Sequence, residues 1–401
     1  MRILYINHEL LRFDSEAGVW GREVVRELRS AGAEVVSLQD LDNDRPTPAT
    51  PGRGLLAGVK TMVKQRASQH VTLKLVEYHL KARGLIRTLR VSLKLWRNRK
   101  RLEASVILAR TFEYDWTPLI VAKLLKLPLV LEVHSPFYLE RELRGQPTSR
   151  LLRRFERLQW RAADRIWVNS HELETIIAED IDIVGRLICL PHGIRMEQFS
   201  RHTGRRTHET VRVIFVGSFY HWHGVELLVD AFAMALEHVE GLRLCLIGDG
   251  LTRRACEERV HHHGIAGAVE FTDWISREQV LEYLAEADIG VAFYLTLETF
   301  YFDPVKVIEY MAAGLAVIAS SQGSIARTVD HGKDGLLVPP NNVNALAEAI
   351  TTLASDAALC ERFGEVARKK IARNQSWEVV AGKILSLCSE ALTGCYPSRN
   401  H

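Results

Sequence analysis

What this 401-residue chain lacks narrows its class first. No stretch reaches the ~18 uninterrupted apolar residues that a membrane-crossing helix needs. "TPLIVAKLLKLPLVLEV" (117–133) comes nearest, and Lys123, Lys126 and Pro128 break it. The opening "MRILYINHELL" has an apolar run too short for a secretory signal, and it alternates like a first strand. Cysteine is sparse: six residues, at 189, 245, 256, 360, 388 and 395, form no C-x-x-C pair. That disfavours zinc-ribbon and thiol-redox chemistry, and scattered thiols read as reduced, mostly buried and cytosolic. The glycine-bearing "DSEAGVWGREVV" (14–25) is no G-x-G-x-x-G fingerprint, so a nicotinamide enzyme is disfavoured.

Charge is scarce in sum but unevenly placed. The formal net charge is +3, yet residues 1–200 carry +9 and residues 201–401 carry −6. Such asymmetry predicts two domains with different partners. Much of the positive charge lies in an insert, Leu55 to Arg101, with 13 Lys and Arg against the single acid Glu77. Basic residues interleaved with Leu, Val and Trp96 suggest a surface helix that touches anionic lipid. The plainer reading is a solvated basic helix packed on its domain. No nucleic-acid motif accompanies the charge, so nucleic acid is not an expected partner.

Short apolar runs recur along the chain. In the first half they lie at 2–6, 34–38, 105–109, 128–133, 165–168 and 187–190, with helical patterns such as 20–31 and 151–162 between them. The polar "SRHTGRRTHET" (200–210) reads as a linker. The pattern restarts at 211–216, 242–247, 269–271, 288–293, 315–319 and 335–338. Near-continuous apolar strands are those of parallel sheets covered by helices on both faces. The expected fold is α/β, with two doubly wound Rossmann-like domains facing a cleft. The expected boundaries are 1–200, carrying the insert 55–101, and 208–375. A final helix within 376–401 has no strand after it and is expected to pack back toward the first domain. Ligands of such sheets lie outside the carboxyl ends of the strands.

One stretch at such an end carries chemistry: "YFDPVKVIEYMAAGLAVIAS" (301–320). Asp303 suits an N-cap, Pro304 the first helical position and Gly314 the residue past the helix end. The helix start, with Val305 in its first turn, offers an anion site, and Lys306 adds a positive charge there. Glu309 lies one turn on and leans back toward the start, within reach of hydroxyls beside a bound phosphate. The plainer reading is a surface ion pair between Lys306 and Glu309, three residues apart. His134 follows an apolar strand in "LEVHSP", and Arg110 follows another in "ILARTFEY". The run His261-His262-His263 makes a poor metal cluster, because adjacent helical residues diverge, and no metal is expected.

"DPVKVIEYMAAGLAVIAS" resembles the signature of the retaining glycosyltransferases with the GT-B fold, family 4. "VIFVGSFYHWHGVELLVDAF" (213–232), "LRLCLIGDG" (242–250), "VEFTDWISREQVLEYLAEADIGVAFY" (269–294) and "GKDGLLVPPNNVNALAEAI" (332–350) follow the family's later blocks in order. "LVLEVHSP" (129–136) and "CLPHGIRMEQF" (189–199) correspond in the first half. The resemblance implies sugar transfer from a UDP- or GDP-sugar to a glycan or lipid-linked acceptor, with retention of configuration and no bound cofactor. It implies an enzyme of polysaccharide synthesis; with the scattered thiols and the basic insert 55–101, the expected location is cytoplasmic and peripheral on the inner membrane face. Donor binding falls to Gly217, Ser218, His223, Gly224, Gly248, Asp249, Tyr301, Asp303, Pro304, Val305, Lys306 and Glu309. The acceptor side falls to Gly18, Gly21, Arg110 and His134, and catalysis to His134, Lys306 and Glu309.

The chain also departs from the family pattern. Relatives carry an E-x7-E pair whose first position is here Tyr301, flanked by Glu298 and Asp303. Relatives place Arg and Lys where this chain has Ser218 and His223, which leaves Lys306 as the compensating cation and His223 as a neutral or protonated donor. Two further readings therefore stand beside transfer: a nucleotide-sugar epimerase, and a degenerate nucleotide-binding partner without turnover.

Overall fold

The computed structural model describes all residues except 11–15, 42–68, 144, 147, 184, 200–209 and 395–401. The first part of the basic insert (55–68), most of the expected linker, Asp14 and Cys395 lie outside the described residues. The chain divides into two compact units. The first comprises Met1–Asn169, Leu173–Leu190 and the segment from Ala381; the second comprises Ser170–Glu172 and Pro191–Val380.

The first unit holds six parallel strands in the order β2-β1-β3-β4-β5-β6. They are β1 (Arg2–Ile6), β2 (Glu34–Ser37), β3 (Val106–Arg110), β4 (Leu129–Val133), β5 (Arg165–Val168) and β6 (Leu187–Cys189). The chain reverses direction along the sheet between β2 and β3, on either side of β1, which is the switch point where such folds place ligands. The second unit repeats the plan in the order β12-β11-β10-β7-β8-β9. Its strands are β7 (Val211–Val216), β8 (Leu242–Ile247), β9 (Val269–Thr272), β10 (Ile289–Ala292), β11 (Ala316–Ser320) and β12 (Gly335–Val338). Here the switch point lies between β7 and β10.

Both faces of the second sheet are covered. Val213 and Phe215 of β7 pack with Phe232 of the helix Val225–Leu236 and with Ile350 of the helix Val343–Ser355. Ile214, between them in sequence, packs on the other face with Val307 and Met311 of the helix Val305–Ala313. Each strand residue thus meets apolar neighbours whichever way it points, so the apolar runs are unbroken.

In the first unit, the insert forms a helix from Gln69 to Arg97. Thr88 of that helix donates to Asp115, whose carboxylate also takes the Thr117 hydroxyl at 2.6 Å, fastening it to the helix Thr117–Leu125. His8, just past β1, reaches the same carboxylate at 2.6 Å. The last helix, Trp377–Thr393, brings Glu390 to Arg165 of β5 at 2.6 Å.

Candidate active site

The loops after β7, β8 and β10 make the polar end of the second unit. Gly217 (φ 145°) and Gly248 (φ 122°) end β7 and β8 in conformations that favour glycine. A Cβ on Gly248 would lie 2.2 Å from the Gly217 carbonyl oxygen, so the two loops touch backbone to backbone. The Phe219 amide donates to the Asp249 carbonyl at 2.9 Å, and the exposed Asp249 side chain accepts from Gly250. Gly224, at φ 56°, starts the helix Val225–Leu236.

Lys306 stands at the centre of this end. Its ammonium group lies over Phe215, 4.4 Å from the ring centre, and 5.1 Å from that of Tyr294. It lies 3.0 Å from where a Cβ on Gly217 would sit. Its Nζ is enclosed and makes no hydrogen bond among the described residues. Burial, partly opposed by Glu309, pushes its pKa down to about 7. The full positive charge expected at this helix start is therefore halved near neutral pH, because aromatic faces solvate an ammonium less well than water.

His223 is not a second cation. Its Nδ1 donates to the Ser218 carbonyl, and burial followed by the nearby Lys306 charge pushes its pKa down to about 3. Neutral His223 thus presents an acceptor at Nε2.

The helix start differs from the expectation at Asp303. Pro304 occupies the N-cap position with no side-chain cap, one place earlier than expected. The Asp303 carboxylate instead accepts from the His192 backbone at 2.9 Å and meets the His192 Nδ1. The surface ion pair is also not formed: Glu309 pairs with Arg277 at 2.7 Å. Arg277 opens the helix Arg277–Glu286, where a Ser276 capping box sets its backbone. Tyr301 is buried in a row of rings with Phe302, Phe300 and Tyr294, and its carbonyl accepts from Ser170 at 2.6 Å. A carboxylate at 301 would be buried among aromatic faces, so this loop is built for a ring. Glu298 is exposed nearby in sequence.

In the first unit, Arg110 and His134 converge on a residue that sequence reasoning missed. Glu132 of β4 is fully buried. Its carboxylate takes Trp20 Nε1 at 2.6 Å, His134 Nε2 at 2.5 Å and the Tyr5 hydroxyl at 3.1 Å, with Arg110 at 3.7 Å. Burial alone would raise its pKa; the charge and hydrogen bond of His134, then Arg110 and Trp20, overcome this and hold it at about 2. The signal was an acid inside the apolar run "LVLEV". Gly18 and Gly21 lie within the helix Glu16–Ser30. A Cβ on Gly21 would fall 2.3 Å from Asn7 Nδ2, so this glycine serves helix-to-loop packing.

Among the described residues, no three or more His, Cys, Asp or Glu gather as a metal site. His263 pairs with Asp230 at 2.9 Å. A cleft of about 510 Å³ opens at the opposite end of β7, β8 and β9, lined by Arg212, Arg243, Cys245, Glu270, Tyr283 and Glu286. Within it the Tyr283 hydroxyl donates to Glu270 and Arg212 pairs with Glu286.

Comparison with known proteins follows this division. Residues 17–198 match the model described as Glycosyltransferase Family 4, and residues 210–356 match that described as Glycosyl transferases group 1. An exopolysaccharide phosphotransferase of Streptomyces coelicolor is 34% identical over 146 residues, 36% of this chain and 15% of that protein. A GDP-mannose-dependent alpha-(1-6)-phosphatidylinositol monomannoside mannosyltransferase of Mycobacterium tuberculosis is 25% identical over 49% of this chain and 54% of its own length. The chain thus spans about half, or less, of these curated relatives. The solved sucrose-phosphate synthase of Thermosynechococcus elongatus superposes with a TM-score of 0.71 at 20% identity, covering 98% of this chain and 100% of that one. It shares the fold.

Proposed function

The chain belongs to the glycosyltransferases of group 1 and family 4, with the GT-B fold, and from that membership we propose that it moves a sugar from a nucleoside-diphosphate donor to a glycan or lipid-linked acceptor. The observation that carries the proposal is the enclosed Lys306 ammonium, which has no hydrogen-bonding partner among the described residues. A buried cation beside a glycine turn and an uncapped helix start calls for an anion, and a diphosphate supplies one. Glu309, one turn deeper, accepts from ribose hydroxyls once Arg277 yields or shares it. Neutral His223 accepts a hydrogen bond from the donor and leaves Lys306 as the cation.

In this reading UDP- or GDP-sugars are the donors and no metal is used. As the donor bond breaks, charge grows on the diphosphate, and Lys306 with the free amides of the first helical turn stabilises it. Retention belongs to the proposal: the leaving phosphate takes the acceptor proton on its own face. His134, held by Glu132, hydrogen-bonds the transferred sugar. The domain boundaries at 200 and 208, and a cytoplasmic location, belong to the same reading.

One observation favours a non-catalytic partner: Ser218 and neutral His223 stand where an Arg and a Lys are the rule. Incubating purified protein with a panel of UDP- and GDP-sugars and a lipid or glycan acceptor decides between them. Transfer that is lost in Lys306→Ala supports the enzyme. Tight diphosphate binding without transfer to any acceptor supports the partner, and wild-type turnover in Lys306→Ala refutes the site.

A further inference from the structure

In the helix Gln69–Arg97, the stretch from Gly84 to Arg97 has its side chains inverted relative to an ordinary packed helix. The inner face of that stretch is short-chained up to Leu95. Thr88 and Ser92 are buried there with Leu95, and a Cβ on Gly84 would fall 2.5 Å from the Tyr114 carbonyl oxygen. Five large apolar residues of the same stretch face out: Leu85, Ile86, Leu89, Leu93 and Trp96 are 44–60% exposed. At ~100° per residue, these five fall within an arc of about 100°. Core burial does not explain them, and five large side chains on one arc exceed the scattered exposure of an ordinary surface.

The flank of this stripe is cationic. From Gly84 to Leu102 the chain has seven Lys and Arg and no Asp or Glu. Arg90, Arg97, Arg99, Lys100 and Arg101 are exposed, and Arg99 lies over the Trp96 ring at 4.4 Å. An aromatic ring topped by a guanidinium is suited to the boundary between acyl chains and headgroups. A second copy of the chain would set like charges against like, and nucleic acid would leave the apolar stripe in water. Charge complementarity and the stripe together select a surface that is apolar beneath and anionic above.

We propose that this helix face docks on an anionic phospholipid bilayer, with Leu85, Ile86, Leu89, Leu93 and Trp96 entering the interface and the flanking cations meeting the headgroups. The inference goes beyond glycosyl transfer and is independent of it, since vesicle binding needs no turnover. It also narrows the acceptor to one resident in that surface.

The test is co-sedimentation of the full chain with vesicles of phosphatidylcholine alone or mixed with phosphatidylglycerol, at low and high salt. Binding should require the anionic lipid and fall steeply with salt. Leu89→Ser/Leu93→Ser/Trp96→Ser should weaken it by more than tenfold. Each cation removed from Arg97, Arg99, Lys100 and Arg101 by substitution with Gln should weaken it about fivefold. These side chains are exposed, so an unchanged thermal melt checks that the variants fold. Equal binding to neutral vesicles overturns the proposal, as does no binding to anionic ones. Full retention in the apolar triple variant overturns it in favour of plain electrostatic adsorption. A vesicle-free dimer lost in that variant, seen by sedimentation, overturns it in favour of self-association.

Discussion

If a diphosphate occupies the space beside Lys306, binding must take up a proton. In the free protein the ammonium is enclosed by Phe215, Tyr294 and Gly217, and its pKa is pushed down to about 7. At pH 8 only about one molecule in ten then carries the charge. A phosphate group, fully ionised by that pH because its second pKa is about 6, restores the charged form on contact. The expected uptake is thus ~0.9 proton per nucleoside diphosphate at pH 8; at pH 6 Lys306 is already charged and the half-protonated terminal phosphate gives up as much as ~0.5 proton on binding, so the uptake disappears and turns to release. Calorimetric titration of UDP and of GDP in two buffers of different ionisation enthalpy reads this number directly. His223, held at about 3, stays neutral throughout and adds nothing. Lys306→Met keeps the apolar stem and should abolish the uptake. The same shift has a stability signature: the unfolded chain binds more protons than the folded one between about 7 and the ordinary lysine value of 10.5. Free protein therefore gains stability as pH rises through that window, and Lys306→Met should remove that slope. Uptake near zero in the wild type at pH 8, or unchanged uptake in Lys306→Met, refutes the assignment.

Three other outcomes follow from the same geometry. Glu309→Ala should weaken UDP or GDP binding about tenfold by calorimetry, whereas Arg277→Ala should change it by less than about twofold; equal losses would mean that their 2.7 Å pair merely positions the helix. Glu156 is buried, accepts from the Phe137 amide at 2.6 Å, and has its pKa pushed by burial up to about 8. The folded chain thus holds a proton that the unfolded chain releases between the ordinary 4.5 and about 8, and stability falls across that range. Glu156→Gln keeps the acceptor without the charge and should raise the melting temperature more at pH 9 than at pH 5. Glu132, held at about 2, contributes stability that is present above 4.5 and lost as pH falls toward 2. Glu132→Gln should cost about 3 kcal/mol in urea denaturation at pH 7 and flatten the acid limb.

The sheets were legible because burial on both faces leaves a strand no polar positions to disguise it. "VRVIFV" reads as a strand since Val213 and Phe215 meet one helical layer and Ile214 the other. The same local reading placed Lys306 and Glu309 at a helix start beyond β10, where they stand. Their states were not legible, because each is set by residues far off in the chain. The Lys306 charge depends on Phe215, 91 positions earlier. Asp303 obeyed no capping rule because His192, 111 residues away, presents an amide and a ring nitrogen to one carboxylate. Glu309 found Arg277 rather than its helical neighbour. Glu132 advertised itself as an acid in an apolar run, but its worth lies in Trp20, Tyr5, Arg110 and His134, which only the β1-β3-β4 order gathers. Hydrophobic period is a local property and survives in one dimension. Protonation is a property of the enclosure, and an enclosure is made by long-range closure of the sheet. A sequence pattern can therefore nominate an ionisable group for a phosphate site, whereas the charge it offers there follows from the packing around it.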